Sequence, residues 1–236
     1  MTTGMPKVPE GYEQRKRESI LDAAEVLCES KPAYEITMRD IIRQTKLSPG
    51  SVYRHFSDID DVLISLMNRI DGKFKIWEQI EPVFSRDESV PKVLFAVFAQ
   101  LGAYLRDSLA GGGKISFELN TKMVTDLEFF RKIQERSTEV NDYALLMQRS
   151  MEYLAQKVDD ATLKPLIPLE DVFSFAVVSM DGIVRDLILT RCYKLPAEAP
   201  GLSLDEMKLT NTLARSLLLM LGVDPKELNM NEGVLT

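Results

Sequence analysis

Three helix-start signals crowd into the stretch from Thr37 to Asp61, TMRDIIRQTKLSPGSVYRHFSDIDD. So close a spacing leaves room only for helices of about two turns joined by tight turns. Thr37 with Asp40 three residues later has the form of a capping box, which predicts a helix opening there, with Ile41 and Ile42 turned inward, and ending near Thr45 and Lys46. Ser48 is placed to cap a second helix, with Pro49 at its first position, where the missing N–H takes nothing from the helix. Ser57 with Asp60 repeats the pattern for a third. Two short capped helices around a turn are a helix-turn-helix, and they make a double-stranded DNA operator the expected partner.

On a wheel of about 100° per residue, Val52 and Phe56 share one face of the second helix, assigned to the core. Gly50 and Arg54 lie opposite, with Ser51 slightly to one side. Tyr53 and Pro49 fall on one flank and His55 on the other. A helix in the major groove needs a small residue where its backbone comes close and a bidentate donor aimed at base edges, so Gly50 and Arg54 suit the task. Flanking side chains reach phosphates on the groove walls. The residues expected to touch DNA are Thr37, Arg39, Lys46, Ser48, Pro49, Gly50, Ser51, Tyr53, Arg54 and His55. The wheel alone leaves an alternative open, a solvent-facing helix with no partner.

The stretch resembles the DNA-binding region of the tetracycline-repressor (TetR) family of bacterial transcription regulators. The matching residues are Thr37, Asp40, Ile41, Leu47, Ser48, Gly50, Ser51, Val52, Tyr53, His55, Phe56 and Ser57, within a similar region spanning about Gln14 to Met67. Two positions depart from the family pattern. Lys46 stands where the turn usually has glycine, which supplies a positive φ at low cost. Ile59 replaces a common lysine and removes a phosphate contact. The resemblance implies a three-helix DNA-binding head, here residues 1–57, and a helical effector-binding and dimerisation body, residues 58–236.

Net charge is −7 over 236 residues, yet Arg39, Arg43, Lys46 and Arg54 make the motif itself basic. Arg15, Lys16 and Arg17 add a cluster that either lies near phosphates or is a solvated helix start. The N-terminus lacks the apolar core of a signal peptide, and no segment has the uninterrupted apolar length of a membrane span; a cytoplasmic protein with no membrane partner is expected. Cys28 falls on the apolar stripe of the first helix with Ile20, Leu21, Ala24 and Leu27, as a small hydrophobe. The single histidine, His55, lies in the DNA motif, which excludes a Ser-His-Asp triad or a histidine-rich metal site elsewhere. Gly111–Lys114, GGGK, lacks the spacing and the hydroxyl residue of a phosphate loop and reads as a linker. No enzyme, cofactor or metal is expected.

The remaining chain reads as all-α. Apolar residues recur at helical spacing over about Asp58 to Gln79, broken before Pro82; further helices are expected from Pro91 to Leu109, Ile115 to Thr121, Asp126 to Val158, Leu169 to Thr190 and Leu204 to Leu221. The last two are apolar on most of their circumference and need cover on two sides, from the same subunit or from a second one. The family resemblance implies a four-helix homodimer interface, expected at Val177, Gly182, Val184, Leu213, Leu217 and Met220. A two-fold operator with half-sites about 34 Å apart also demands a dimer. The resemblance further implies a small-molecule effector, partly apolar, bound among the middle helices. Phe95, Phe98, Phe117, Met123, Tyr143, Met147, Phe173 and Met180 are the candidate lining, with Glu118, Arg185 and Asp186 to orient polar groups. The same apolar residues equally describe an ordinary core. Expected overall is a ligand-responsive repressor; the alternative is a DNA-binding dimer controlled by a protein partner or by no effector.

Overall fold

The computed structural model describes residues 11–136, 142–195 and 204–229. Among the described residues there is no strand; the helices are α1 (Tyr12–Ser30), α2 (Met38–Thr45), α3 (Pro49–His55), α4 (Ile59–Asp71), α5 (Ile76–Phe84), α6 (Val90–Ala110), α7 (Gly113–Thr125), α8 (Leu127–Arg136), α9 (Asp142–Asp159), α10 (Leu169–Arg191), α11 (Glu206–Met220) and α12 (Pro225–Asn229), with a 3₁₀ turn at Ala33–Glu35. The chain falls into two compact units. One is Met1–Gly72 with Ile115–Ser137, the other Lys73–Lys114 with Thr138–Thr236. Residues 1–57 sit inside the first unit, which also takes in α4, α8 and most of α7.

Local chemistry sets the helix-turn-helix as the capping signals predict. Asp40 donates its N–H to Thr37 Oγ1 at 3.3 Å and its carboxylate accepts the Thr37 N–H at 3.0 Å, so the capping box at the start of α2 is complete. The Lys31 ammonium, 2.6 Å from Asp40, holds that carboxyl well below the usual carboxylate range, helped by the Thr37 hydroxyl. Ser48 Oγ accepts from the Ser51 N–H at 3.3 Å, and Pro49 opens α3. The third cap falls one residue later than Ser57. Asp58 takes the extended cap position and accepts the Asp61 N–H at 2.8 Å, while Asp61 reaches back to the Ser57 N–H at 3.0 Å. The carboxylate of Asp58 thus does the capping that the spacing assigns to Ser57.

Lys46 lies between α2 and α3 at φ 57°, ψ 16°, the left-handed conformation that glycine adopts without penalty. Lys46→Gly is therefore expected to raise stability by about 0.5–1 kcal/mol, since the relief of roughly 1–2 kcal/mol exceeds the extra chain entropy glycine brings to the unfolded state. Chemical-denaturant midpoints check this; a midpoint equal to or below wild type would show that the turn is not strained.

The expected long helix from Asp58 to Gln79 is two. Helix α4 ends at Gly72, whose N–H closes on Asn68 O at 2.9 Å, and α5 begins afresh at Ile76. Helix α5 then runs through Pro82 instead of stopping before it, because Ile76, Ile80, Val83 and Phe84 are all buried and hold the last turn against the loss of one backbone hydrogen bond. The stretch expected as one helix over Asp126 to Val158 is α8 and α9, with 137–141 outside the described residues. Helix α7 starts at Gly113, so the tail of the expected linker is its first turn.

In the second unit α6 packs against α5 and α11. A Cβ on Gly102 would stand 2.7 Å from Thr210 Oγ1 and 2.8 Å from Met207 Sδ, so glycine permits the approach of α6 to α11. By length and composition α6 is apolar enough to cross a membrane, although Lys92, Gln100, Arg106 and Asp107 interrupt its apolar run; here its apolar residues Val93, Leu94, Phe95, Val97 and Phe98 belong to a buried cluster.

Candidate nucleic-acid interface

Helix α3 is anchored by Val52 and Phe56, 0% and 1% exposed, and turns its other residues outward. Pro49, Gly50, Tyr53 and Arg54 are exposed, and so are Thr37, Arg39, Arg43, Lys46 and Ser48 on or beside α2. Arg54 is the more open of the pair at the end of the helix, its side chain 74% exposed. A Cβ on Gly50 would meet nothing within 4 Å among the described residues, so no packing among them accounts for a glycine in a helix, where it costs up to about 1 kcal/mol relative to alanine. The residue fits a surface that something else approaches closely.

Four of the residues expected to touch DNA are already engaged inside the protein. Thr37 Oγ1 serves the capping box and donates to Asp40 Oδ2 at 2.7 Å. Ser48 caps α3 through its hydroxyl. Ser51 is half-buried, with Lys16 Nζ 3.4 Å from its hydroxyl. The His55 side chain departs furthest from its flank position on the wheel: only 9% of it is exposed, and Nε2 lies 3.2 Å from Glu13 Oε2 without a hydrogen-bonding alignment. The start of α1 covers it, a neighbour that no wheel of α3 contains.

The basic cluster Arg15–Arg17 divides. Arg17 is taken up in the scaffold: it donates to His55 O at 3.2 Å and Ser65 Oγ at 2.7 Å, and its guanidinium stacks 4.3 Å over the Phe56 ring. It ties α1 to α3 and α4. Arg69 of α4 makes a second tie, meeting Asp22 at 2.7 Å, Glu18 at 3.6 Å and Glu25 on successive turns of α1.

The departure at Ile59 has a structural counterpart. Three carboxylates surround it at the start of α4, and helices α7 and α8 of the same unit neutralise them. Lys132 Nζ lies 2.6 Å from Asp60 and 3.5 Å from Asp58, Lys122 lies 3.6 Å from Asp60, and Arg136 lies 3.1 Å from Asp61. The Asp60 carboxylate raises the Lys132 ammonium above its ordinary range. Burial opposes ionisation of Asp58, but the Asp61 N–H and the Lys132 charge outweigh it and hold its carboxyl below the usual range. Glu118 of α7, expected to orient a ligand, is 2% exposed and accepts the Ala33 N–H at 2.7 Å, closing the loop between α1 and α2. Sequence reasoning missed these ties, which join residues from 38 to 85 positions apart.

In the second unit Phe95, Phe98, Phe173 and Met180 come together in one apolar cluster. Tyr143 is exposed at the start of α9, Met147 is half-buried on the same helix, and Phe117 and Met123 belong to α7 in the first unit. Arg185 and Asp186 pair with one another at 2.9 Å on an exposed turn. Leu213 and Leu217, expected at a dimer interface, are each 5% exposed within that same cluster, facing α6. They are core residues of the chain itself because α6 covers the face that periodicity alone left open. Met220 packs on the cluster too, while Val177, Gly182 and Val184 are half-buried on α10. The large apolar residues left outward on the late helices are Phe175 (43%), Val178 (71%) and Leu219 (41%).

Residues 20–66 match the family described as bacterial regulatory proteins, tetR family. The chain is 24% identical over 185 residues to the uncharacterized HTH-type transcriptional regulator YfiR of Bacillus subtilis (strain 168), covering 78% of this chain and 85% of that protein. Its fold is similar to that of the fatty acid degradation regulator FadR from Bacillus halodurans, with TM-score 0.59, 17% identity, and 92% and 97% of the two chains covered. It is also similar to the transcriptional regulator FadR from Bacillus subtilis, solved in complex with stearoyl-CoA, with TM-score 0.57, 20% identity, and 88% and 99% covered. The helix-turn-helix match, the regulator relative and the shared all-α fold agree: residues 20–66 are similar to the DNA-binding region of the tetR family of bacterial regulatory proteins, and the whole chain is similar in fold to regulators of that kind.

Proposed function

We propose that the protein is a cytoplasmic homodimeric repressor, released from its operator by a small, partly apolar molecule. The observation that carries DNA reading is the outward face of α3, where Gly50 has open space around it and Arg54 projects 74% exposed over the buried pair Val52 and Phe56. Gly50 lets the helix backbone approach the groove, Arg54 reads a base edge, and Tyr53, Arg39 and Lys46 hold phosphates. A similar argument supports the dimer. Gly182 sits in mid-helix with nothing among the described residues within 4 Å of a would-be Cβ, on the same stripe of α10 as Phe175 and Val178. A second α10 laid there covers the apolar stripe and makes use of the missing side chain.

The effector enters among α6 and α10, where Phe95, Phe98, Phe173 and Met180 supply adaptable apolar surface. A long acyl chain is the first probe, since the similar B. subtilis FadR was solved with stearoyl-CoA. Release by tenfold needs only about 1.4 kcal/mol of differential affinity between the two states. The test is selection of binding sites by the wild-type protein from random-sequence duplexes, followed by retardation of the selected duplex with and without stearoyl-CoA. A two-fold related site with half-site centres about 34 Å apart is expected, with retardation reduced at least tenfold by the acyl thioester. Enrichment of no sequence contradicts the DNA-reading role, and a selected duplex indifferent to the thioester contradicts an acyl effector.

A further inference from the structure

The start of α1 reaches the reading helix through one side chain. Glu13 presents one carboxylate oxygen to His55 Nε2 at 3.2 Å and the other to Arg54 Nη1 at 3.8 Å. The three groups differ in exposure: the imidazole is 9% exposed, the carboxylate 50%, the guanidinium 74%. Nε2 is buried and has no hydrogen-bond partner among the described residues, so the carboxylate is the polar neighbour it has on that side. His55 is itself fixed, because Arg17 holds its backbone carbonyl at 3.2 Å. The carboxylate thus lies between the buried imidazole, to which it makes no aligned hydrogen bond, and Arg54 on the solvent side, with Lys16 engaged one turn along at Ser51.

We propose that Glu13 is a positioning residue for base reading: it holds Arg54 in a reading direction and penalises contacts that are not base-specific. The proposal rests on the DNA-reading role of α3. An unrestrained arginine on an exposed helix samples many rotamers and pairs readily with any phosphate. A carboxylate beside it restricts that freedom and leaves the remaining guanidinium donors for a base edge with two acceptors, as guanine offers in the major groove. Its negative charge, close to where the DNA backbone passes, weakens attachment to every sequence alike. That uniform term cancels in the ratio of specific to non-specific binding; only a site that supplies the matching base edge gains from the held guanidinium, so the gain in the ratio runs through Arg54. Glu13 therefore sharpens the ratio of specific to non-specific binding, while Arg54 makes the contact.

The experiment compares wild type, Glu13→Gln, Arg54→Ala and the double variant on the duplex that wild type selects and on a scrambled duplex of equal length, at one salt concentration. Glu13→Gln is expected to tighten binding to the scrambled duplex several-fold and to lower the specificity ratio about tenfold, with preference relaxed at the base pair that Arg54 reads. In the Arg54→Ala background the same change is expected to leave the ratio where it was, because the effect passes through Arg54. An unchanged ratio in Glu13→Gln overturns the proposal. So does an equal fall in both backgrounds, which would mark Glu13 as a residue that only shapes the head. Unfolding midpoints are read alongside, and Glu13→Ala repeats the comparison with the carboxamide removed. If wild type distinguishes the two duplexes and Glu13→Gln does so equally well, the inference fails and the DNA-reading role stands; if wild type does not distinguish them, both fail.

Discussion

Phe56→Ala is expected to lower stability by about 3–5 kcal/mol and, with it, to remove DNA binding at temperatures where the wild type is folded. Phe56 is 1% exposed and stands just past the end of α3, its N–H bonded to Val52 O at 3.1 Å. The Arg17 guanidinium stacks 4.3 Å above its ring and donates to Ser65 on α4, so one ring supports α1, α3 and α4 at their junction. Truncation leaves a cavity and strands a charged group whose packing partner is gone. Because α3 has only Val52 as its other fully buried residue, it has little else to fix its face. Denaturant unfolding followed by far-ultraviolet circular dichroism measures the loss. A change below about 1 kcal/mol would mean that the head is held by interactions other than those described.

The parts of the head that depend on neighbours within four residues were legible in the sequence. Thr37 with Asp40, Ser48 with Ser51, and Pro49 at the first helical position all behave as their spacing predicts, because a cap is a hydrogen bond between residues about one turn apart. So was the buried side of α3. What the wheel could not supply was the cover brought by other helices. His55 lies on a flank of α3 and would reach solvent if α1 did not place Glu13 and Arg17 beside it. Leu213 and Leu217 lie on an apolar stripe, and only the position of α6 decides that the stripe faces inward. The acidic start of α4 reads in sequence as a weakened phosphate site at Ile59; its partners Lys122, Lys132 and Arg136 come from helices far along the chain. The break at Gly72 is hidden by apolar periodicity that continues from α4 into α5, as if the two were one helix.

Arg54→Ala carries the second large effect, and it bears on function instead of stability. The side chain is 74% exposed, and its charged neighbour among the described residues, Glu13, is 3.8 Å away and half exposed, a pair worth little to folding. Unfolding is therefore expected to shift by less than about 0.5 kcal/mol. Binding to the selected operator is expected to weaken by about 1–3 kcal/mol per half-site, roughly 5- to 150-fold, with preference relaxed at a single base pair. Lys46→Ala provides the contrast: on the proposed reading, in which its ammonium holds a phosphate, its loss is expected to weaken all sequences alike and to lower the slope of affinity against salt by about one per half-site. The most direct measurement is retardation of the operator duplex and of its single-base variants by wild type and Arg54→Ala over a range of salt. The outward face of α3 as the reading surface predicts that Arg54→Ala loses both affinity and discrimination at that base pair; Arg54→Ala binding the operator as tightly and as selectively as wild type would contradict it.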